Sequence, residues 1–377
     1  MIADILIKNG RVIDPSRGVD SVGDIAVAGR RIVAAVPGMQ ARTVIDAAGG
    51  LVTPGLIDFH AHIFERGTDS GINPDIAMLP NGVTTVVDAG SSGVSSYRSF
   101  LDRLNLCRVK TKLFLQVSPT GQITHQYPEI LLPERWNLSK VEEAVELCGK
   151  RLLGFKLRIG EGVVGDRGVY LLEKSKELAD RFGLHLVVHV TDSPVLQSKV
   201  ASMLGAGDVF CHVYHGRGNT IFEDGRIPEA IWEARKRGVI FDCCHGSANF
   251  CYPIAERAIA EGFLPDVISS DMNTISWCKP PLFSLEMVMS KLLMLGMELG
   301  DVIERVTSAP AKLIGEDGKL GTLAPGTCAD IAILKLVEQP IPFMDTEGET
   351  RLGQRYFSAR TTILDGQLVY RAQELSF

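Results

Sequence analysis

The chain lacks the cysteine spacings that mark a zinc ribbon or a disulfide framework. Eight cysteines occur among its 377 residues, but none forms a CxxC pair. Cys243 and Cys244 are adjacent, which is a poor arrangement for one intrachain bridge. We therefore expect free, mostly buried thiols in a cytoplasmic protein, because the cytoplasm keeps thiols reduced.

An excess of basic residues and long apolar runs are also absent. The chain has 39 lysines and arginines against 45 acidic residues, a formal net charge of −6, so it offers no basic field to a phosphate backbone. No uninterrupted apolar run approaches the roughly 18 residues of a membrane helix. The N-terminal stretch MIADILIKNGRVID lacks the basic and apolar regions of a signal peptide. We expect neither a nucleic-acid partner nor a membrane partner.

Short runs of valine and isoleucine, separated by Asn-Gly and Gly, make up both ends of the chain. Such runs predict β-strands joined by hairpins. Neither end carries enough strands for a sandwich of its own. We therefore predict one small β-sandwich domain built from residues 1–53 plus 318–377, with residues 54–317 inserted between its halves. Two independent edge ribbons are the alternative.

The central region alternates strand-like runs with helical patterns. SKVEEAVELCGK, VYLLEKSKELADRFG and PEAIWEARKRG have apolar residues at three- and four-residue spacing, as amphipathic helices do. Eight strands, most of them followed by a helix, predict an α/β fold, a (β/α)8 TIM barrel over residues 54–317. The predicted strands are 56–60, 82–88, 112–118, 152–158, 184–190, 207–212, 238–243 and 265–270.

Six residues suited to metal chemistry close or follow these runs. In a (β/α)8 barrel the carboxyl ends of the strands meet on one rim, where active sites lie. His60 and His62 are two residues apart in PGLIDFHAHIF, so strand alternation turns both to the same side and both can reach one metal ion. The predicted metal-site residues are His60, His62, Lys156, His189, His212 and Asp271.

Lys156 is the unusual member of this set, because an ammonium group repels a divalent cation. A neutral lysine can act as a base when burial and the metal charge lower its pKa. Alternatively, the neutral amine can add CO2 to form a carbamate, an anion that can bridge two metal ions. We favour the carbamate, because it converts a repulsive residue into the ligand that a two-metal centre lacks.

Arg158 is the main candidate for binding the substrate. It lies two residues after Lys156, so it points to the same side of strand four, and its guanidinium can hold a carboxylate bidentately. A salt bridge within the barrel is the alternative role. The long segment 119–138 is predicted to cover the barrel mouth. Further candidates for substrate contact, all from loops that follow strands, are Tyr214, His245 and Asn249, together with His125 and His215.

This ordered set resembles the amidohydrolase superfamily of metal-dependent hydrolases over nearly the whole chain. The motifs that carry the resemblance are PGLIDFHAH, the single lysine of GFKLR, VVHV, FCHVYHG and SSDMN, followed by TSAPAKLIG and GTLAPGTCADIAIL. GFKLRIG, HVYHG and CCHGSANF resemble more narrowly the amidohydrolase/deacetylase subgroup, which is also called dihydroorotase-like. That subgroup is associated with deacylation of small acyl-bearing carboxylates.

The resemblance implies a role for each member of the set. The two histidines of the HxH pair would bind a buried α metal. His189 and His212 would bind a more exposed β metal, and carboxylated Lys156 would bridge the two. Asp271 would contact the α metal and serve as proton shuttle. Imidazole ligands favour zinc as the divalent ion, while carboxylate and carbamate ligands also admit manganese or iron.

The resulting prediction is a binuclear metal-dependent hydrolase that deacylates a small carboxylate through a metal-bridging hydroxide, with Asp271 as proton shuttle. The substrate would be an acyl ester of an α-hydroxy acid, such as acetyl-mandelate, or an N-acyl amino acid. The alternative is a cyclic amide hydrolase of dihydroorotase or hydantoinase type. Some relatives of hydantoinases have lost their ligands and serve as assembly proteins, but all six are intact here. Barrels of this kind often associate, so a homo-oligomer is compatible with the sequence.

Overall fold

Strands and helices alternate through most of the chain. The computed structural model describes residues 2–124, 126–127 and 129–373. The strands in these residues are β1 (Ala3–Asp14), β2 (Val19–Ala28), β3 (Arg31–Val33), β4 (Ala41–Asp46), β5 (Leu51–Pro54), β6 (Leu56–Ala61), β7 (Val83–Ala89), β8 (Lys110–Gln116), β9 (Leu152–Arg158), β10 (His185–His189), β11 (Val209–Cys211), β12 (Ile240–Asp242), β13 (Ile331–Met344), β14 (Thr350–Leu364) and β15 (Gln367–Arg371). The α-helices are α1 (Pro74–Met78), α2 (Tyr97–Leu104), α3 (Leu138–Cys148), α4 (Glu161–Val164), α5 (Gly168–Arg181), α6 (Gln197–Met203), α7 (Glu229–Lys236), α8 (Tyr252–Ala260), α9 (Leu285–Met294), α10 (Leu299–Glu304) and α11 (Ser308–Leu313).

Seven parallel strands form the sheet that carries the candidate site. They lie in chain order from β6 to β12, each pairing with the next. All seven fall at predicted runs, and the three predicted helices are α3, α5 and α7. Parallel strands in chain order with helices between them form the curved wall of a (β/α) barrel. The predicted fold class is therefore confirmed.

The predicted eighth strand, 265–270, is not a regular strand. Val267 makes one parallel bridge to β12, and Met272 makes one to β6. The segment thus lies where a closing strand would lie, but it closes the wall through single bridges. One cause is a buried carboxylate: Asp58 Oδ1 accepts the backbone N–H of Ser270 at 3.0 Å, so this N–H is not part of a ladder. The prediction of a regular strand here was wrong.

Strands from both ends of the chain form the second sheet. Its hydrogen-bonded order is β15-β14-β13-β5-β1-β2-β3, and β4 also pairs with β1. Because β5 pairs with both β1 and β13, the two ends of the chain meet in one sheet, and the alternative of two independent ribbons is wrong. Buried aliphatic residues, including Ile7, Val27 and Ile331, form a core on this sheet. The proposed domain boundaries, 1–53 plus 318–377 and 54–317, stay a prediction.

Apolar side chains fill the barrel interior beneath the candidate site. Phe59, Phe114, Val187 and Val209 belong to one buried cluster inside the wall, while the outward faces of the strands pack against the helices. The pairing of β6 with β7 shifts register between Asp58 and Ala61. Such a bulge inserts one residue and changes the directions of the side chains. Phe59 and the next residue, His60, can therefore both face the barrel interior.

Two further expectations concern the cysteines and the membrane. All eight cysteines are free thiols, as predicted, and four of them are buried. Among the residues that the structure describes, no helix combines the length and apolar character needed to cross a bilayer.

Candidate metal centre

The six predicted metal-site residues lie at the carboxyl ends of the barrel strands or of segment 265–270. His189 is the backbone partner of Arg158 on β9 and of Cys211 on β11, so these three strand ends are level. The imidazole centroids of His189 and His212 are 4.3 Å apart. The His60 ring lies 5.4 Å from that of His212. The structure therefore brings residues separated by more than two hundred positions onto one rim.

His62 is oriented by a hydrogen-bonded chain of buried residues. The Ser91 hydroxyl donates to Asp88 Oδ2 at 2.7 Å, so its oxygen accepts a hydrogen bond from His62 Nδ1 at 2.9 Å. This contact leaves His62 Nε2 with a lone pair, and Nε2 lies 3.2 Å from Asp271 Oδ1. A fixed tautomer of this kind is what a metal-binding imidazole needs.

His60 and His212 are held in the same manner. His60 Nδ1 lies 3.1 Å from the Cys211 sulfur, and His212 Nδ1 bonds the Cys244 carbonyl oxygen at 2.8 Å. His212 Nε2 is buried and has no hydrogen-bond partner in the described part of the chain. Burial lowers the pKa of His60 to about 4, so its imidazole is neutral at physiological pH. In both rings the Nδ1 contact leaves Nε2 as the nitrogen that is available to a metal ion.

Asp271 offers its two carboxylate oxygens to different neighbours. Oδ1 faces His62 Nε2 at 3.2 Å and His60 Nε2 at 3.6 Å, while Oδ2 accepts a hydrogen bond from Asn249 Nδ2 at 3.0 Å. Burial opposes ionisation, but the surrounding His62, His60 and His212 rings outweigh it and lower the pKa of Asp271 below its usual range. The carboxylate is therefore an anion ready to bind a cation or accept a proton.

Two of these residues have left-handed backbones. His212 has φ 70° and Asp271 has φ 53°, values that are uncommon for residues other than glycine. Such strain concentrates at functional sites, where the surrounding structure enforces it. The Asp271 backbone N–H donates to the His60 carbonyl at 2.7 Å, which ties the two candidate ligands together.

Lys156 is almost fully buried, with 1% of its surface exposed. Its Nζ lies 3.4 Å from His60 Nε2, and within the described ranges no carboxylate oxygen lies at ion-pair distance. Its aliphatic stem packs against Gly90, where a Cβ atom would come within 2.5 Å of Lys156 Cβ, so the wall fits only a glycine there. Lys156 Nζ also lies 3.9 Å from the Cys211 sulfur, so its described neighbours are an imidazole and a thiol.

The donor set fits a divalent cation. His60, His62 and Asp271 each provide one ligand atom, and these atoms lie within 4.8 Å of one another. His62 Nε2 and Asp271 Oδ1 lie 3.2 Å apart, and both atoms carry lone pairs. A cation or a proton between them would stabilise this close approach. The buried, unpartnered Nε2 of His212 supports the same conclusion. Imidazole and carboxylate ligands are those of zinc hydrolases and related sites.

A cavity of about 340 Å³ opens directly above this cluster. Arg158 lies in its wall, and its Nη1 donates to Glu129 Oε1 at 2.8 Å. The salt bridge considered as the alternative role of Arg158 therefore exists, with a partner from the predicted mouth segment 119–138. Gln122 from the same segment also lines the cavity. The lining residues are His60, His62, Gln122, Lys156, Arg158, His189, Ser247, Ala248, Asn249, Asp271, Asn273 and Ile275.

The other predicted substrate contacts have different outcomes. Asn249 lines the cavity, but Tyr214 and His245 do not. The Tyr214 hydroxyl donates to the Phe263 carbonyl at 2.8 Å, so Tyr214 belongs to the core. His245 is fully buried and faces a lysine of α9. Both polar groups have partners away from the cavity, and a contact of either residue with substrate stays a prediction. His215 is buried outside the cavity lining, and His125 lies outside the described residues.

Sequence reasoning missed three polar residues around the site. Gln122 is 5% exposed, and its amide nitrogen has no hydrogen-bond partner among the residues that the structure describes. Asn273 lines the cavity two residues after Asp271, a spacing in SSDMN that offered a signal. Lys291, a single lysine in the apolar run LEMVMSKLLM of α9, bonds His245. A lone charge in an apolar helix is the signal that was available for Lys291.

The sequence and the fold are both similar to those of known proteins. The amidohydrolase family matches residues 51–369 of the chain. A deacetylase of Agrobacterium fabrum is 32% identical over 375 residues, covering 97% of this chain and 92% of that protein. A solved structure described as an adenine deaminase has a TM-score of 0.89 and 29% identity, covering 98% of this chain and 100% of that one. A structure described as a dihydroorotase has a TM-score of 0.88 and 30% identity, covering 99% of each chain.

Proposed function

Because the chain belongs to the amidohydrolase family and is a hydrolase of that family, we propose that it deacylates a small carboxylate. The substrate is an acyl ester of an α-hydroxy acid, such as acetyl-mandelate, or an N-acyl amino acid. One observation carries the proposal: the Asp271 carboxylate faces His60 and His62 in a cavity whose wall also holds the Arg158 guanidinium. The groups proposed for hydrolysis and the group proposed to anchor a carboxylate line the same cavity.

The residues proposed to hold two divalent ions are those of the rim. The HxH histidines with Asp271 would hold one ion, and His189 with His212 would hold the other. Lys156, as a carbamate, would bridge them. When bound, zinc or a similar ion polarises a carbonyl and lowers the pKa of water to about 7. The protein's own contribution is to keep the imidazoles neutral and fixed, through Nδ1 contacts such as that of His62 with Ser91.

Asp271 is the proposed proton carrier. As an ionised carboxylate beside the cavity, it can take a proton from the attacking water and pass it to the departing oxygen or nitrogen. Asn249 fixes the orientation by donating to Oδ2 at 3.0 Å. Oδ1 faces the imidazoles at the floor of the cavity. The Asp271 carboxylate therefore lies between the His60 and His62 imidazoles and the part of the cavity proposed to hold the substrate.

Arg158 is the proposed anchor for the substrate carboxylate. Only its Nη1 is bonded to Glu129, and a guanidinium has five N–H groups in a planar fork. The remaining groups can pair with a carboxylate in two parallel hydrogen bonds. Glu129 also accepts a hydrogen bond from Gln116 at 2.8 Å, so it holds the guanidinium from the mouth side. This arrangement positions Arg158 in advance, which reduces the entropy lost on binding.

Kinetics on a matched pair of substrates test the anchor. We expect Arg158→Met to lower kcat/KM far more for an acylated acid than for its methyl ester. Arg158→Lys keeps the charge but loses the fork, and should cost roughly tenfold, about the value of one hydrogen bond to a charged group. Arg181→Met, at the exposed end of α5, is the control. Equal losses on acid and ester would assign Arg158 to support of the wall through Glu129.

A cyclic amide hydrolase of dihydroorotase or hydantoinase type is the second candidate. It is favoured by the similarity to the structure described as a dihydroorotase. Hydrolysis of a cyclic amide is reversible, whereas deacylation releases two separate products. A screen of acylated hydroxy acids and amino acids, in both enantiomers, should therefore be run beside ring opening and ring closure of cyclic amides. Turnover only of the cyclic amides would replace the deacylase proposal.

A further inference from the structure

Lys291 is a buried cation in the apolar helix α9. Only 1% of its surface is exposed, and no carboxylate of the described residues lies at ion-pair distance. Its Nζ instead has three acceptors, namely His245 Nε2 at 2.8 Å, the Pro281 carbonyl at 2.7 Å and the Met344 carbonyl at 2.6 Å. Three acceptors match the three N–H groups of an ammonium. Burial lowers the pKa of Lys291 to about 7, so these bonds offset only part of the cost of burying the charge.

The three acceptors belong to three separate segments. His245 lies in the loop between β12 and α8, Pro281 follows the segment of Asp271, and Met344 ends β13. Lys291 therefore joins two loops at the barrel mouth to a long strand of the terminal sheet. A single nonpolar residue could fill the same volume, but it would make none of these connections. The expensive buried charge indicates a role beyond packing.

A continuous path of contacts leads from Lys291 to Asp271. His245 Nδ1 donates to the Gly246 carbonyl at 2.7 Å, which leaves Nε2 free to accept from Lys291. The Gly246 N–H donates to the Ser270 carbonyl at 2.9 Å. A Cβ atom on Gly246, whose φ is 56°, would come within 2.4 Å of Asp271 Oδ2. The backbone of Gly246 is therefore the surface against which the carboxylate rests.

We propose that Lys291 is a positioning residue for Asp271, acting through the His245 imidazole and the Gly246 peptide. Phe250 stacks on the His245 ring at 4.5 Å with an interplanar angle of 13°, so the ring can move little once Lys291 fixes Nε2. Lys291 itself touches neither substrate nor metal. The inference rests on the proposed function, because it assumes that Asp271 carries the proton.

The first test separates kcat from KM. Lys291→Met keeps the length of the side chain and removes its donors. We expect kcat to fall roughly 10- to 100-fold, the scale of a small misplacement of a catalytic group, while KM changes less than about threefold. Lys112→Met removes another poorly exposed lysine, which pairs with Glu316 far from the cavity lining, and should leave kcat unchanged. Wild-type kcat in Lys291→Met would overturn the proposal.

A second variant covers the case in which Lys291→Met does not fold. His245→Gln keeps an oxygen that can accept from Lys291, but it removes the imidazole that spans to the Gly246 carbonyl. It should show the same selective loss of kcat. In addition, Asn249→Ala should cost less in the His245→Gln background than in the wild type, since both changes release Asp271. Strictly additive losses would contradict a shared path.

A readout without substrate keeps this inference separate from the proposed function. In protein labelled with ¹⁵N-histidine, His245 should show the neutral tautomer with the proton on Nδ1 and an Nε2 that accepts a hydrogen bond. The Nε2 signal should shift in Lys291→Met and remain in place in Lys112→Met. An unchanged His245 signal in Lys291→Met would overturn the inference. Failure to hydrolyse any acylated carboxylate would refute the proposed function alone.

Discussion

Asp271 combines three features that rarely occur together in a residue whose role is purely structural. It is buried, it has a left-handed backbone, and its oxygens face different partners. Asparagine keeps the shape but cannot accept a proton at neutral pH. We expect Asp271→Asn to lower kcat by roughly 10²–10⁴-fold, the usual contribution of a positioned acid–base group. Metal content should fall less than in His60→Ala. A near-native kcat would assign the proton transfer to another residue.

Lys156 is the residue whose chemical form matters most. Its neighbours are His60 and Cys211 rather than a carboxylate. If it carries a carbamate, Lys156→Ala should lose bound metal, measured by elemental analysis, and formate or acetate should restore part of the activity. Lys112→Ala is the control. Full metal content and normal turnover of Lys156→Ala without added acid would contradict the bridging role.

Lys156 and Arg158 were predicted to face one side from strand alternation, whereas Tyr214 and His245 were predicted only because they lie in loops that follow strands. Lys156 and Arg158 lie within β9, where the period of two holds. Tyr214 follows His212, which has φ 70°, and His245 follows Cys244, which has φ 37°. A left-handed residue reverses the direction of the chain locally, so alternation no longer predicts where the next side chain points. No pattern in the sequence announces such a residue unless it is glycine.

The elements themselves were predictable where one face is apolar and the other polar. Helices α3, α5 and α7 have this character and were predicted. Helix α9 was not, because nearly all its residues are buried and no stripe distinguishes its faces. The segment 265–270 was predicted to be a strand although Val267 and Ile268 are its only aliphatic residues. Its N–H groups are divided among Phe241 of β12, the Arg305 carbonyl and the side chain of Asp58, which the sequence pattern alone cannot show.

Glu286 links helix α9 to strand β14 and makes that contact sensitive to pH. Its carboxyl accepts the Ala359 N–H, and burial raises the pKa of Glu286 to about 7 from an ordinary 4.5. Between these values only the folded state binds the proton, so folding stability falls as pH rises through this window. Above pH 7 the cost of the buried charge is fully present, on the order of 3 kcal/mol.

Glu286→Gln should therefore stabilise the protein at pH 8 and have little effect at pH 4.5. The amide oxygen can still accept the Ala359 N–H, so the contact between α9 and β14 survives. The measurement is the free energy of unfolding in denaturant at both pH values. Glu173→Gln, at an exposed position of α5, should show no such difference. A Glu286→Gln effect that is equal at both pH values would contradict the titration.

At the scale of the molecule, the candidate ligands connect parts of the wall that are distant in sequence. They come from β6, β9, β10, the end of β11 and the segment that carries Asp271. This arrangement was predictable because parallel strands in chain order place their carboxyl ends on one rim. The second sheet was predictable as a union of both termini, because neither end alone carries enough strands. Between β12 and β6 the barrel wall is closed only by single β-bridges at Val267 and Met272. Contacts among the site residues therefore also help to hold this part of the rim together.

An ion bound by these ligands should therefore stabilise the whole barrel. A ligand that binds only the folded state adds about 2.7 kcal/mol to the unfolding free energy when its concentration is 100 times Kd. We expect chelated protein to regain stability on addition of zinc, measured by denaturant unfolding. His60→Ala should lose this zinc-dependent gain. His185→Ala removes an exposed histidine at the opposite end of β10 from His189, and it should retain the gain. If zinc stabilises neither the wild type nor His185→Ala, or stabilises His60→Ala equally, the rim residues do not form the metal centre.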